Sequence, residues 1–127
     1  MSRLKTLFLR YQEVLLIVLS TKLFLLGVSL IANDQSLTQL IPLWVRWDGY
    51  RYTDIAQRWY VTEGDAARNI TWFPLYPALI KAATALIGDV YMWAVLLAVL
   101  FSFIASILLY ELVLLDHDRK TAWLSVW

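Results

Sequence analysis

Asp48 stands between Trp47 and Gly49, with Arg46 and Arg51 close on either side, in the densest mixture of aromatic and charged residues in the chain, Trp44-Val-Arg-Trp-Asp-Gly-Tyr-Arg-Tyr-Thr-Asp-Ile-Ala-Gln-Arg-Trp-Tyr60. A carboxylate in this setting has two readings. It can receive a proton from a reacting hydroxyl, or orient that hydroxyl, as a general base does. It can instead cap the helix that follows, accepting backbone N–H bonds at the positive end of the dipole. The residue three later is Arg51 rather than Glu or Gln, so no capping box supports the second reading, and the residues leave both open. Asp54 and Arg58 lie one helical turn apart, acid first, the favoured order for a surface ion pair. Ile55, Ala56 and Trp59 would give the same helix its apolar face.

Other groups capable of chemistry are scattered. Lys22 falls near the centre of an apolar run, where a charge is costly and normally faces a partner or a wet cavity. Glu111 lies close to the end of a second apolar run, within reach of water. His117 sits between Asp116 and Asp118 in a polar segment, and Asn69-Ile70-Thr71 has the form of a glycosylation sequon. The chain has no cysteine and one histidine, which excludes disulfides, thiolate metal sites and the common zinc geometries. A role for some other divalent metal stays unknown. The net charge is +1 with no basic stripe, which argues against nucleic acid as a partner.

The elements that must position Asp48 are membrane elements. Of the 127 residues, 61% are hydrophobic and the mean hydropathy is +0.61. That is more apolar than a soluble domain of this size. Residues 14–32 nearly match the roughly 20 needed to span the hydrocarbon core as a helix, and no small-x-small site follows to mark a cleaved signal. Residues 33–73 form a loop carrying a helix at 49–60, with turns at Asn33–Ser36 and at Glu63-Gly64-Asp65; so long a connection tends to be functional. Pro74 and Pro77 open a short helix over 74–88, which covers only about 22 Å. Residues 90–115 form the clearest span, and 121–127 read as the start of a further helix. Positive charge is retained on the cytoplasmic side, so Arg3, Lys5 and Arg10 together with Arg119 and Lys120 favour two crossings, with 74–88 lying in the outer interface. The expectation is an all-α polytopic membrane protein with two transmembrane helices and juxtamembrane helices on the outer face, in one incomplete domain over 1–127.

The spacing Trp47-Asp48-Gly49, Tyr52, Ile55-Ala56, Tyr60 and then Phe73-Pro74-Leu75-Tyr76-Pro77 resembles the PIG-V family, the GPI mannosyltransferases and their bacterial relatives, which have the GT-C glycosyltransferase fold. The resemblance covers only the N-terminal portion of that family, and Trp72 stands where phenylalanine is expected. It implies a polyprenyl-phosphate sugar donor, mannose as the sugar, and a glycan or lipid acceptor whose hydroxyl is activated by Asp48 as the catalytic carboxylate on the outer or lumenal face. Arg46 and Arg51 become candidates for the donor phosphate, because guanidinium engages phosphate at two points; Trp47 and Tyr52 become candidates for stacking on a sugar or polyprenyl chain. The setting would be a bacterial cell membrane, or the endoplasmic reticulum membrane in a eukaryote, with membrane lipid and the remainder of a split or truncated enzyme as partners. The alternative is a non-catalytic small membrane protein serving as accessory or structural subunit of a larger complex. A transporter fragment fits less well, since only Lys22 is deep in a span.

Overall fold

The computed structural model describes residues 3–33 and 36–127. The described chain is 76% helix with no strand, an all-α protein. Helices run over Arg3–Asn33 (α1), Leu37–Trp44 (α2), Gly49–Arg58 (α3), Leu75–Thr84 (α4), Val90–Val113 (α5) and Arg119–Leu124 (α6), with a 3₁₀ helix at Asp65–Thr71. Two of them are long and apolar enough to cross a membrane, over Leu9–Ala32 and Val90–Val113. The core helix of a soluble protein would be mostly covered, whereas only 17% and 6% of these apolar windows are buried. Leucine and phenylalanine side chains such as Leu23, Phe24, Leu108 and Leu112 face outward. A lipid environment accepts such a surface around helices that satisfy their own backbone bonds.

The chain divides into two compact units, residues 1–34 with 99–127, and residues 35–98. In the first unit Val14 of α1, Tyr110 of α5 and Ala122 of α6 form a small core, with Tyr11, Ile107 and Trp123 packed around it. Arg10 pairs with Glu111 at 2.6 Å and Arg119 with Glu13 at 3.2 Å. The beginning of α1 therefore lies beside the end of α5. Asp118 begins α6 by accepting the Thr121 N–H at 2.8 Å. That cap starts the helix at 119, two residues before the expected 121, and Ser125 ends it.

The second unit packs α3 on α4. Its core joins Val45, Ala56, Ile80, Val90 and Ala94, with Tyr52, Tyr76 and Trp93 partly buried against them. Several boundaries differ from the sequence expectation, most of them for a local reason. The loop opens with α2, begun by Ser36 and Gln39, whose side-chain Oε1 accepts the Ser36 N–H at 3.2 Å. The helix expected to reach residue 60 stops at Arg58, because Trp59 takes φ 63° and leaves the helical path. The helix expected over 74–88 spans only Leu75–Thr84. At the helical rise per residue its length is about 15 Å. Residues beyond it turn so that Asp89 can cap α5 through the Met92 N–H at 2.6 Å, and the Trp93 indole closes this turn by donating to the Ile87 carbonyl at 2.7 Å. The long span ends at Val113, not 115. Of the turn expected at Asn33–Ser36, Asp34 and Gln35 lie outside the described residues.

Candidate functional site

The site is built where α2 gives way to α3. Trp47 adopts φ 54°, a left-handed conformation rare for a bulky residue. Hydrogen bonds from Gly49 N to the Arg46 carbonyl at 2.9 Å and from Tyr50 N to the Trp47 carbonyl at 3.4 Å hold this reversal. Gly49 allows it to be tight: a Cβ there would meet Val45 Cγ1 at 3.1 Å. The indole of Trp47 is left 91% exposed.

Asp48 occupies the capping position without capping. Its carbonyl accepts the first helical bonds, from Arg51 N at 2.9 Å and Tyr52 N at 3.2 Å. Its own backbone is already helical, at φ −67° and ψ −19°, and the side chain makes no cap bond. A capping side chain needs an extended backbone to curl back on the N–H groups. The carboxylate is exposed, and among the described residues nothing pairs with it.

The residues expected beside Asp48 separate into three environments. Arg46 turns its Nε to the Leu43 carbonyl at 2.7 Å. This sets a cation against the C-terminal end of α2, where the dipole favours it. Tyr52 is a packing residue, meeting the rings of Trp72 and Tyr76 edge-on at 5.3 and 5.2 Å. Trp47 and Arg51 line a surface groove of about 470 Å³ together with Tyr50, Asp54, Gln57 and Arg58. Thr53, Asp65, Ala66 and Tyr91 complete its wall; Asp48, Arg46 and Tyr52 are outside it.

A polar relay fixes this groove. Arg58 pairs with Asp54 at 2.5 Å. The other Asp54 oxygen accepts from Asn69 Nδ2 at 2.7 Å, while Asn69 Oδ1 accepts from Arg51 at 3.3 Å. Asn69 is only 1% exposed. It belongs to the 3₁₀ helix that follows the turn at Gly64, whose φ is 72°, a conformation that suits glycine. The Tyr60 hydroxyl, donating to the Trp72 carbonyl at 2.6 Å, ties the far end of that segment down. The sequon asparagine is therefore a structural bridge with both amide atoms engaged. No local signal marks that role, since its partners lie 15 and 18 residues away.

Elsewhere, Lys81 places its ammonium 5.4 Å from the Trp59 ring centroid, a cation–π contact. Lys22 is half-buried and makes no hydrogen bond or ion pair among the described residues. Among those residues no group of three or more His, Cys, Asp or Glu side chains could hold a metal ion, and His117 stays exposed between its two aspartates. Known proteins offer no match, whether family models, curated sequences or solved structures.

Proposed function

We propose that this chain is part of a membrane glycosyltransferase similar to the PIG-V family, with GT-C architecture, and that its Asp48 activates an acceptor hydroxyl on the outer face of the membrane. The observation that carries this reading is the state of Asp48: an exposed carboxylate with no structural task, beside a strained and exposed tryptophan, in the segment that joins two helices of membrane-spanning length. Backbone strain of the kind seen at Trp47 costs about 1–3 kcal/mol and gathers at functional sites.

In this mechanism Asp48 takes the proton of the acceptor hydroxyl as its oxygen attacks the anomeric carbon of the donor. The bond from that carbon to the phosphate oxygen breaks, the polyprenyl phosphate leaves with the electron pair, and the anomeric configuration inverts. Arg46 supplies positive charge to the leaving phosphate, while Arg51 is held by the Asn69 amide in the adjoining groove. Arg46 uses its two terminal nitrogens, which have no partner among the described residues once Nε is bound to Leu43. Mannose as the transferred sugar rests on the family resemblance alone. The short α4, about half the thickness of a hydrocarbon core, suits a helix that lies along the interface.

Replacing Asp48 by Asn, in membranes carrying the full gene product and supplied with polyprenyl-phosphate sugar, is expected to lower the transfer rate by about 10²–10⁴-fold, the usual worth of a general base, with insertion unchanged. Turnover at the parent rate would remove Asp48 from the chemistry.

A further inference from the structure

We propose that the groove beside Asp48, lined by Trp47, Tyr50, Arg51, Asp54, Gln57 and Arg58, binds a neutral saccharide, and that it is the seat of the acceptor. As the acceptor site the proposal rests on the glycosyl-transfer reading; as a saccharide site it stands on the groove alone.

Three features select that ligand class. The first is charge. Arg51 and Arg58 are balanced by Asp54 and Asp65 on the same wall. Both guanidinium groups are also occupied, Arg58 by the Asp54 carboxylate and Arg51 by the Asn69 amide. A phosphate would have to break these pairs and meet two carboxylates, whereas an uncharged ligand leaves them in place. The second is shape and surface. Trp47 is 91% exposed and Tyr50 48% exposed, and with Tyr91 three aromatic rings stand at the groove. Its volume of about 470 Å³ falls in the range of small-molecule sites. Pyranose rings present apolar C–H faces that stack on aromatic rings. A polyprenyl chain would gain little from walls whose other side chains are mainly charged or polar. The third is fixed polar geometry. Asp54 and Arg51 are held by a nearly fully buried asparagine. Vicinal hydroxyls, each both donor and acceptor, are read by planar groups of this kind, carboxylate, guanidinium and the Gln57 amide. Preorganised side chains lose less entropy when the ligand arrives.

The test uses the whole chain in detergent micelles, with no donor present. Methyl α-mannopyranoside is titrated and followed by saturation-transfer NMR and by tryptophan fluorescence. Saturable binding is expected, weakened by about threefold to tenfold in Gln57→Ala and in Tyr50→Ala, the loss that one polar or stacking contact brings. Both side chains are exposed, and unchanged helical circular dichroism would establish that the variants remain folded. Inorganic phosphate is expected not to displace the glycoside. Absence of saturable binding, equal affinity in both variants and the parent chain, or displacement by phosphate would each overturn the proposal. Saccharide binding together with full turnover in Asp48→Asn would leave the groove standing and remove the catalytic reading. Loss of turnover in Asp48→Asn without saccharide binding would do the reverse.

Discussion

The availability of the Asp48 carboxylate follows from the backbone around it. Trp47 turns left-handed, Asp48 enters the helix early, and the side chain that by type and position should cap α3 is left exposed instead. The Trp-Asp-Gly order is legible as a candidate site because acid, aromatic and glycine are adjacent in sequence. The relay that shapes the neighbouring groove is not. Asn69 reaches Arg51 and Asp54 across 18 and 15 residues, and its visible pattern, a sequon, points to a different role. Asp54 and Arg58 are readable as an i,i+4 pair; that the same carboxylate also holds a buried amide is not. Replacing Asn69 by Ala leaves the Arg51 and Asp54 groups on this wall without their shared partner and opens a small void. A loss of about 1–3 kcal/mol is expected, the cost of stranding buried polar partners. A denaturant titration followed by tryptophan fluorescence measures it, and a change within error would show the relay to be dispensable.

Among the helices, the two long apolar ones are readable from composition, because an apolar run of about 20 residues with almost no charge has few other uses. The short ones are not, since their ends are set by single residues. The Ser36-x-x-Gln39 pattern is a usable signal for α2, but Pro42 and the proximity of polar residues obscure it. Trp59 and Asp89 set the ends of α3 and the turn after α4 through backbone geometry and a cap that hydropathy does not register. The Tyr76 hydroxyl, donating to the Ala94 carbonyl at 2.5 Å, links α4 to the first turns of α5. Burial first, and the neighbouring Tyr52 second, push its phenol above the ordinary value, so it remains a donor throughout the neutral range. Tyr76→Phe is expected to lower stability by about 0.5–1.5 kcal/mol, the net worth of one such bond, read as a shift in the urea midpoint of a micelle-embedded sample. At the other end of the chain, hydrogen bonds from Thr121 hold the Asp118 carboxyl below its ordinary value. A group depressed in the folded state stabilises above its unfolded value and loses that contribution as pH falls through its folded one. Hydrogen exchange in residues 119–124 is therefore expected to stay constant from neutral pH down to about 4, once corrected for the intrinsic rate, and to accelerate below that. In Asp118→Ala this step should be absent.

For the molecule as a whole, two helices are long and apolar enough to cross a membrane. Arg10 beside Glu111 and Arg119 beside Glu13 bring the beginning of the first apolar helix to the end of the second. Cytoplasmic retention of the basic residues near both termini favours two crossings on sequence grounds. We propose that the segment joining the two apolar helices, with Asp48 in it, lies on the side of the membrane opposite both termini. Both the catalytic proposal and the saccharide proposal need that placement, since a lipid-linked donor and its acceptor meet there in water. The absence of cysteine from the chain makes the point directly measurable. A single cysteine at position 48, and another at 117 in a separate variant, can be challenged with a membrane-impermeant maleimide in intact cells and in inverted vesicles. Labelling of position 48 in intact cells, with position 117 reached only in inverted vesicles, is the expected result. Labelling of position 48 from the cytosolic side alone would contradict the placement and, with it, sugar transfer at Asp48.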